Sequence, residues 1–339
     1  MTFDEAVMEL PKLFEGKKFS ECAELSKALL KVQPHHPPAL VHLACSHEQL
    51  GDLQQAGNAF RILSLIFPHN EQLAENVVRT LPADQHVLFS SEREERKNRI
   101  AKFPKKPSLD LVDNPAGKMF VPVIPDGDII GQTIRQGGIF DINIIQCAEQ
   151  YIRPGTTAID VGANFGQMSL LFSRMVGPFG QVLSIEADDY VGHVLAENIR
   201  VNGIQNIRIV NKAVHNETGN TVFFPDQDFV RFSTYGSYGI DPHAASGREV
   251  TTVKIDDLGI DGPVTFMKVD VQGCDLFAME GAKNLILKNK MPIIFEYEEQ
   301  FQADFGTSFQ DYVNFVIGIG YEFVKTVDSI NYLIAPKAS

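Results

Sequence analysis

The chain has 339 residues, 44% of them hydrophobic and 22% charged, the make-up of a globular protein long enough for two domains. A net charge of −13 argues against a nucleic-acid partner, because duplex binding needs a basic face, and equally against an anionic membrane surface. Cys22, Cys45, Cys147 and Cys274 lie far apart with no C-x-x-C, which excludes a zinc or disulfide framework and predicts reduced thiols in a cytoplasmic protein.

The opening residues, MTFDEAVMEL, have neither the basic region nor the apolar core of a signal peptide. No apolar run in the chain is long enough to span a bilayer. Residues 1–100 read as amphipathic helices, with apolar residues recurring at three and four in LSKALLKV and AFRILSLIF. Phe19, Cys22, Leu29 and Pro34 fall on Leu53, Ala56, Leu63 and Pro68, an offset of 34 that resembles the tetratricopeptide period. Two such units are fewer than the about three that support themselves, so their apolar end is expected to pack on a further helix (Glu71 to Leu81), the next domain, a protein partner or a second subunit. The charged run SSEREERKNRIAKFPKK ends in Pro104 and Pro107 and places a linker at 101–123.

From 124 to 339 strands and helices alternate. KMFVPVI and GDII read as short strands and IFDINIIQCAEQYI as a helix. Strands follow at 157–161, 181–186, 206–211, 264–270 and 292–297, with helices at 165–176, 189–202, 275–288 and 308–318. YEFVKTV and INYLIAP, separated only by Asp328 and Ser329, form a hairpin. The expectation is an α/β domain with a mostly parallel, seven-stranded sheet ending in an antiparallel hairpin, the class I methyltransferase (Rossmann-like) arrangement and not a six-stranded parallel dinucleotide domain.

TAIDVGANFG, residues 157–166, is a strand, a glycine turn and a helix start, the opening of a nucleotide-binding unit. Gly162 and Gly166 leave room for a ligand beside the backbone. Glu186 ends the next strand, where an acid can accept both hydroxyls of a ribose. The dinucleotide fingerprint lacks its middle glycine here, and no Lys or Arg lies between Arg153 and Arg174 to neutralise a pyrophosphate. Asp160 and Asn164 suit the ammonium and carboxylate of an amino-acid tail beside a sulfonium, so S-adenosylmethionine fits better than NAD or ATP.

DVGANFG, SIEAD, NIRIVNKAVHNETGNTVFF, VTFMKVDVQGCDLFAMEGAKNLI and PIIFEYE together resemble the successive blocks of the FkbM family of S-adenosylmethionine-dependent methyltransferases, from about Ile124 to Ala335. The family usually reads D-x-E-G after the fourth strand, where this chain has Asp270-Val271-Gln272-Gly273, which puts in doubt any role that needs a second carboxylate there. The resemblance implies methylation of hydroxyls on sugars or polyketide-like natural products, and supports adenine contacts around Asn211 and Ala213.

Asp160, Glu186, Asp270 and Glu296 each fall at or near a strand's carboxyl end, where open α/β sheets bind ligands. Asp160 and Glu186 are the cofactor acids, with Asp270 within reach of both cofactor and acceptor. An attacking alcohol must lose its proton, so Asp270 is the first choice for a base or acceptor-orienting group and Glu296 the second. Lys268, on the same strand face as Asp270, is expected to pair with a carboxylate. Glu298 and Glu299 are expected in water beyond the strand, so no metal site is assigned, and the loop histidines His215 and His243 read as solvent-exposed. The insertion from Ala213 to Ile260 is expected over the crevice, with Tyr235, Ser237 and Tyr238 as candidate substrate contacts. The rival to an O-methyltransferase is a tetratricopeptide adaptor whose α/β domain is catalytically idle.

Overall fold

The computed structural model describes residues 2–32, 36–102, 107–123, 128–224, 235, 236, 238–244 and 247–337. The chain divides into two compact units, Met1–Ser108 and Leu109–Ser339.

The first unit is helical: α1 (Phe3–Glu15), α2 (Phe19–Val32), α3 (Pro37–Gln49), α4 (Leu53–Ile66), α5 (Glu71–Thr80) and α6 (His86–Lys102). Thr2 and Glu5 form a reciprocal capping box that satisfies two orphan N–H groups at the start of α1. The offset of 34 carries α2 onto α4, two helices of 14 residues each. Cys22 and Ala56 are equivalently buried, as are Leu29 and Leu63. Small residues at these positions let neighbouring helices approach, and Leu40, Phe60, Leu63 and Val77 fill the core between them. Pro34, expected to close the first unit, lies outside the described residues.

The second unit opens with a hairpin, β1 (Leu109–Asn114) and β2 (Gly117–Pro122), the second formed by residues 118–122 of the run KMFVPVI that reads as a strand, although 101–123 is the expected linker. It continues through α7 (Ile129–Arg135), α8 (Ile142–Tyr151), β3 (Thr157–Val161), α9 (Gln167–Val176), β4 (Gln181–Ile185), α10 (Asp189–Val201) and β5 (Ile207–Val210). Of GDII, Gly127 lies outside the described residues, and Asp128 to Ile130 do not form a strand, because Asp128 accepts a hydrogen bond from the Gly131 N–H and caps α7 instead. Next come β6 (Ala213–Val214), β7 (Thr221–Phe224), β8 (Arg248–Val253), β9 (Val264–Val269), α11 (Asp275–Glu280) and α12 (Lys283–Asn289). The chain ends with β10 (Ile293–Glu296), α13 (Glu299–Phe305), α14 (Phe309–Gly318), β11 (Tyr321–Thr326) and β12 (Asn331–Pro336).

Seven strands form one sheet in the order β11-β12-β10-β9-β3-β4-β5. β10, β9, β3, β4 and β5 run parallel, and β12 is antiparallel to both β10 and β11. This is the class I methyltransferase arrangement. Alternate residues feed two cores. Ile159, Val161, Leu183, Met267, Val269 and Phe295 pack on one face, while Ala158, Val182, Phe266 and Ile294 meet Phe172 and Ile144 on the other. Burial on both faces explains the nearly unbroken apolar run of each strand. After β3 the chain winds to β4 and β5 on one side, and β9 returns to the other. The β3–β9 seam is therefore the switch point, where the carboxyl ends of the strands splay apart and leave a crevice.

Candidate functional site

A cavity of about 250 Å³ opens at that seam. Its lining comes from the turns after β3, β4, β5, β9 and β10, from α7, the residues before α8, and residues 235, 236 and 238–240.

The turn after β3 forms the floor. Gly162 has φ +75°, and a Cβ there would stand 1.8 Å from the Asp270 carbonyl oxygen, so the turn can pass over the end of β9 only as glycine. Asn164 also adopts a left-handed conformation, at φ +50°, which its short side chain tolerates. Its Oδ1 accepts the Phe165 N–H at 2.7 Å, and its Nδ2 donates to the Tyr235 carbonyl at 3.2 Å. The amide therefore joins the turn to the covering segment. Gly166 does not line the cavity. A Cβ on it would meet Leu195 Cδ1 at 2.3 Å, so its lack of a side chain serves packing of α9 against α10 and not ligand approach.

Glu186 sits where β4 ends, its carboxylate accepting the Asn164 N–H and the Asp188 N–H, each at 2.9 Å. Burial, partly offset by those donors, raises its carboxyl to about 7. Beside it, Asp188 caps α10 and pairs with Arg248 at 2.8 Å. Ala213 lines the same end with Lys212 and Val214. Asn211 instead donates to the carbonyls of Glu186 and Asp188, holding the ends of β4 and β5 together.

The other end is dominated by acids around one lysine. Lys268, 3% exposed, donates to the Gly162 carbonyl at 2.8 Å and lies 3.1 Å from Asp270 Oδ2 and 3.6 Å from Asp160 Oδ1. Burial alone would depress its ammonium, but Asp270 and Asp160 outweigh that and hold it above the usual lysine value. The expected lysine–carboxylate pair is thus a triad of charges, one ammonium close to two carboxylates. Asp160 is fully buried; it accepts from Ser169 Oγ at 2.5 Å, and Ser184 in turn donates to Ser169. It braces the turn through Lys268 and also lines the cavity, its Oδ1 accepting no hydrogen bond among the described residues.

Gln272 reaches back over this cluster from a left-handed backbone, φ +51°. Its Nε2 donates to Asp270 Oδ1 at 3.1 Å and to Glu296 Oε2 at 2.9 Å. Glu296, 8% exposed at the end of β10, is raised well above neutrality by burial and then by Asp270 and Asp275. Asp275 is raised to about 7 by burial and Asp270, against the relief given by the N–H groups of Val271 and Gly273.

Three acids lay outside the sequence-based expectation, of which Asp141 and Glu298 line the cavity. Asp141, at φ +50° before α8, is raised to about 6 by burial and by Asp270. The only sequence signal was a lone acid inside the apolar stripe IFDINII. Asp128 caps α7. Glu298, expected in water, is half-buried and lines the cavity. Of the covering segment, Tyr235 is 4% exposed, with its ring 5.4 Å from Phe165 and 6.0 Å from Tyr190, while Tyr238 packs on Phe224. Ser237 lies outside the described residues. His215 stacks on Phe277 away from the cavity, and His243 is exposed. Among the described residues no group of His, Cys, Asp or Glu is arranged to hold a metal ion, and no helix is long and apolar enough to cross a membrane. All four cysteines are free thiols.

Residues 160–323 match the family model of the methyltransferase FkbM domain. Among solved structures, the chain is similar to the methyltransferase FkbM from Methylobacillus flagellatus, at 18% identity over 61% of this chain and 59% of that one, with a TM-score of 0.38. It is also similar to a SAM-dependent methyltransferase from Aquifex aeolicus, at 14% identity over 58% and 88% of the two chains and a TM-score of 0.32. A third similar structure, from Streptococcus mutans, is described as a methyltransferase in complex with SAH, at 10% identity over 58% and 99% and a TM-score of 0.36. The chain spans about three fifths of the Methylobacillus protein. No curated protein sequence matches it.

Proposed function

Residues 160–323 being a methyltransferase FkbM domain, we propose that the chain is an S-adenosylmethionine-dependent O-methyltransferase acting on a hydroxyl of a sugar or polyketide-like acceptor. The carrying observation is the charge of the cavity. Seven carboxylic residues line it, Asp141, Asp160, Glu186, Asp188, Asp270, Glu296 and Glu298, against Lys212 and a Lys268 held close to Asp270 and Asp160. Among the described residues no arginine lines it. A lining so rich in acids suits a sulfonium with an ammonium tail better than a pyrophosphate.

The residues fit that cofactor. Glu186 would accept the ribose hydroxyls, Ala213 and its neighbours would flank the adenine, and the Gly162 turn with Asn164 would hold the amino-acid end, Asp160 bracing it from behind. When bound, the cofactor supplies a methyl carbon on a good sulfonium leaving group. The chain must hold an acceptor hydroxyl in line and take its proton. Asp270 is the group placed to do so. It is part-exposed to the cavity, and Lys268 and Gln272 fix its two oxygens. Tyr235 and Tyr238, with the segment between them, would cover the acceptor and exclude water.

For the first unit we propose a tetratricopeptide-like pair that meets a protein partner or a second copy through its exposed helix faces. The catalytic reading is tested by calorimetry with S-adenosylhomocysteine, by the Glu186→Ala variant, and by transfer of labelled methyl to a panel of glycosides and polyols. Micromolar binding lost in the variant supports it. Binding of NAD in place of S-adenosylhomocysteine would overturn it, and a bound cofactor with no transfer to any polyol would favour the idle-domain alternative.

A further inference from the structure

Gln272 joins two carboxyl groups that cannot both be ionised at ease. One amide nitrogen donates to Asp270 at 3.1 Å and to Glu296 at 2.9 Å, so the two acids lie on either side of it at the ends of adjacent strands. Among the described residues Lys268 is the one cation lining this end of the cavity; it contacts Asp270 and Asp160 and not Glu296. Around the pair stand Asp141 before α8, Asp160 at the end of β3, Asp275 on α11 and Glu298 after β10. One ammonium among so many acids leaves the buried Glu296 without a counter-charge, and burying such a charge is prohibitive. A carboxylate at position 272 would add another charge and remove the amide donor that the two acids share. The amide does the reverse, offering an N–H to each acid while carrying no charge. Its backbone is held in the left-handed region, and a Cβ on Gly239 of the covering segment would stand 3.1 Å from the Gln272 Cβ, so its pose is set by packing from above.

We propose that Gln272 is a positioning residue that makes Asp270 and Glu296 a single proton-holding pair, in which Glu296, with no cation beside it, keeps the proton and Asp270, paired with Lys268, faces the acceptor. The role in catalysis rests on the methyltransferase reading; the pairing does not. In the reaction the acceptor O–H bond would break and its proton go to Asp270, while its oxygen takes the methyl carbon from the sulfonium, whose carbon–sulfur bond breaks to leave S-adenosylhomocysteine. The Glu296 proton stays in place and keeps Asp270 from facing a second negative charge.

The test is infrared spectroscopy of the carboxylic-acid C=O stretch on the full chain at about pH 8.5, where ordinary carboxyls and those titrating near neutrality are ionised. The wild type minus Glu296→Gln difference should contain a protonated-acid band. In Gln272→Glu that band should grow, because the added carboxyl takes up a proton. In Asp270→Asn it should shrink, because Glu296 is released from the neighbouring charge. A difference spectrum with no acid band, or a Gln272→Glu spectrum with only new carboxylate intensity, would overturn the proposal. S-adenosylhomocysteine calorimetry on the same samples separates the two readings, since its failure removes the methyltransferase role and leaves the infrared result to stand or fall alone.

Discussion

Replacing Lys268 by methionine keeps the length and apolar stem of the side chain and deletes its charge. Asp160, fully buried, would lose the cation 3.6 Å away and retain only the Ser169 hydroxyl; Asp270 would lose its contact at 3.1 Å and retain Gln272. The Gly162 carbonyl would lose its donor. Removing one partner of a buried pair strands the other, and the expected loss is about 3–5 kcal/mol. Asp160→Asn combined with Lys268→Met removes both charges and should recover most of this, so the double-mutant cycle should show strong coupling. The loss also depends on pH. Burial already raises Asp160, and without Lys268 it rises further. A carboxyl raised on folding contributes stability that is present at low pH and lost as pH rises, so the single variant should come closer to wild type at pH 5 than at pH 8 (both about). Because the chain has two units, the readout should be hydrogen exchange of peptides from β3 and β9 across a urea series. A single variant within about 1 kcal/mol of wild type at alkaline pH, or a double variant no better than the single, would refute the triad as the brace of the turn.

Gly162→Ala should abolish S-adenosylhomocysteine binding in calorimetry, with disturbance of the second unit visible by circular dichroism, since its Cβ would stand 1.8 Å from a backbone oxygen that cannot move aside. Cofactor affinity should weaken as pH falls through about 7, where Glu186 gains a proton and becomes a poorer acceptor for ribose hydroxyls; calorimetry across that range checks it, and Glu186→Gln should flatten the curve. Asp275 is raised from 3.8 to about 7, so its share of stability is full below pH 3.8 and lost as pH rises through about 7. Asp275→Asn should therefore make urea midpoints less sensitive to pH over that window than in the wild type.

The fold of the second unit was legible because each parallel strand is buried on both faces, and that requirement writes itself into sequence as short apolar runs such as TAIDV and VTFMKV. Asp160 and Glu186 stood out for the same reason, as acids closing such runs, and Lys268 as a charge inside one. Their roles were harder to read. Whether Asp160 meets a ligand or braces a turn depends on Ser169, nine residues on, and on Lys268, 108 positions on, a pairing fixed by the β3–β9 register and invisible to local spacing. Gly166 shows the same limit, since the side chain it makes room for belongs to Leu195 on another helix. Asp141 and Gln272 were obscured for a different reason. Each takes a left-handed backbone that its residue type seldom signals, and that conformation turns it toward the cavity. Gln272 had been noticed only as a lost charge. Its two N–H groups now make the absence of charge the useful property, because a third acid between Asp270 and Glu296 would have nothing to neutralise it. Composition could not say this, since the need for an amide arises only once two strand ends bring their carboxyl groups together.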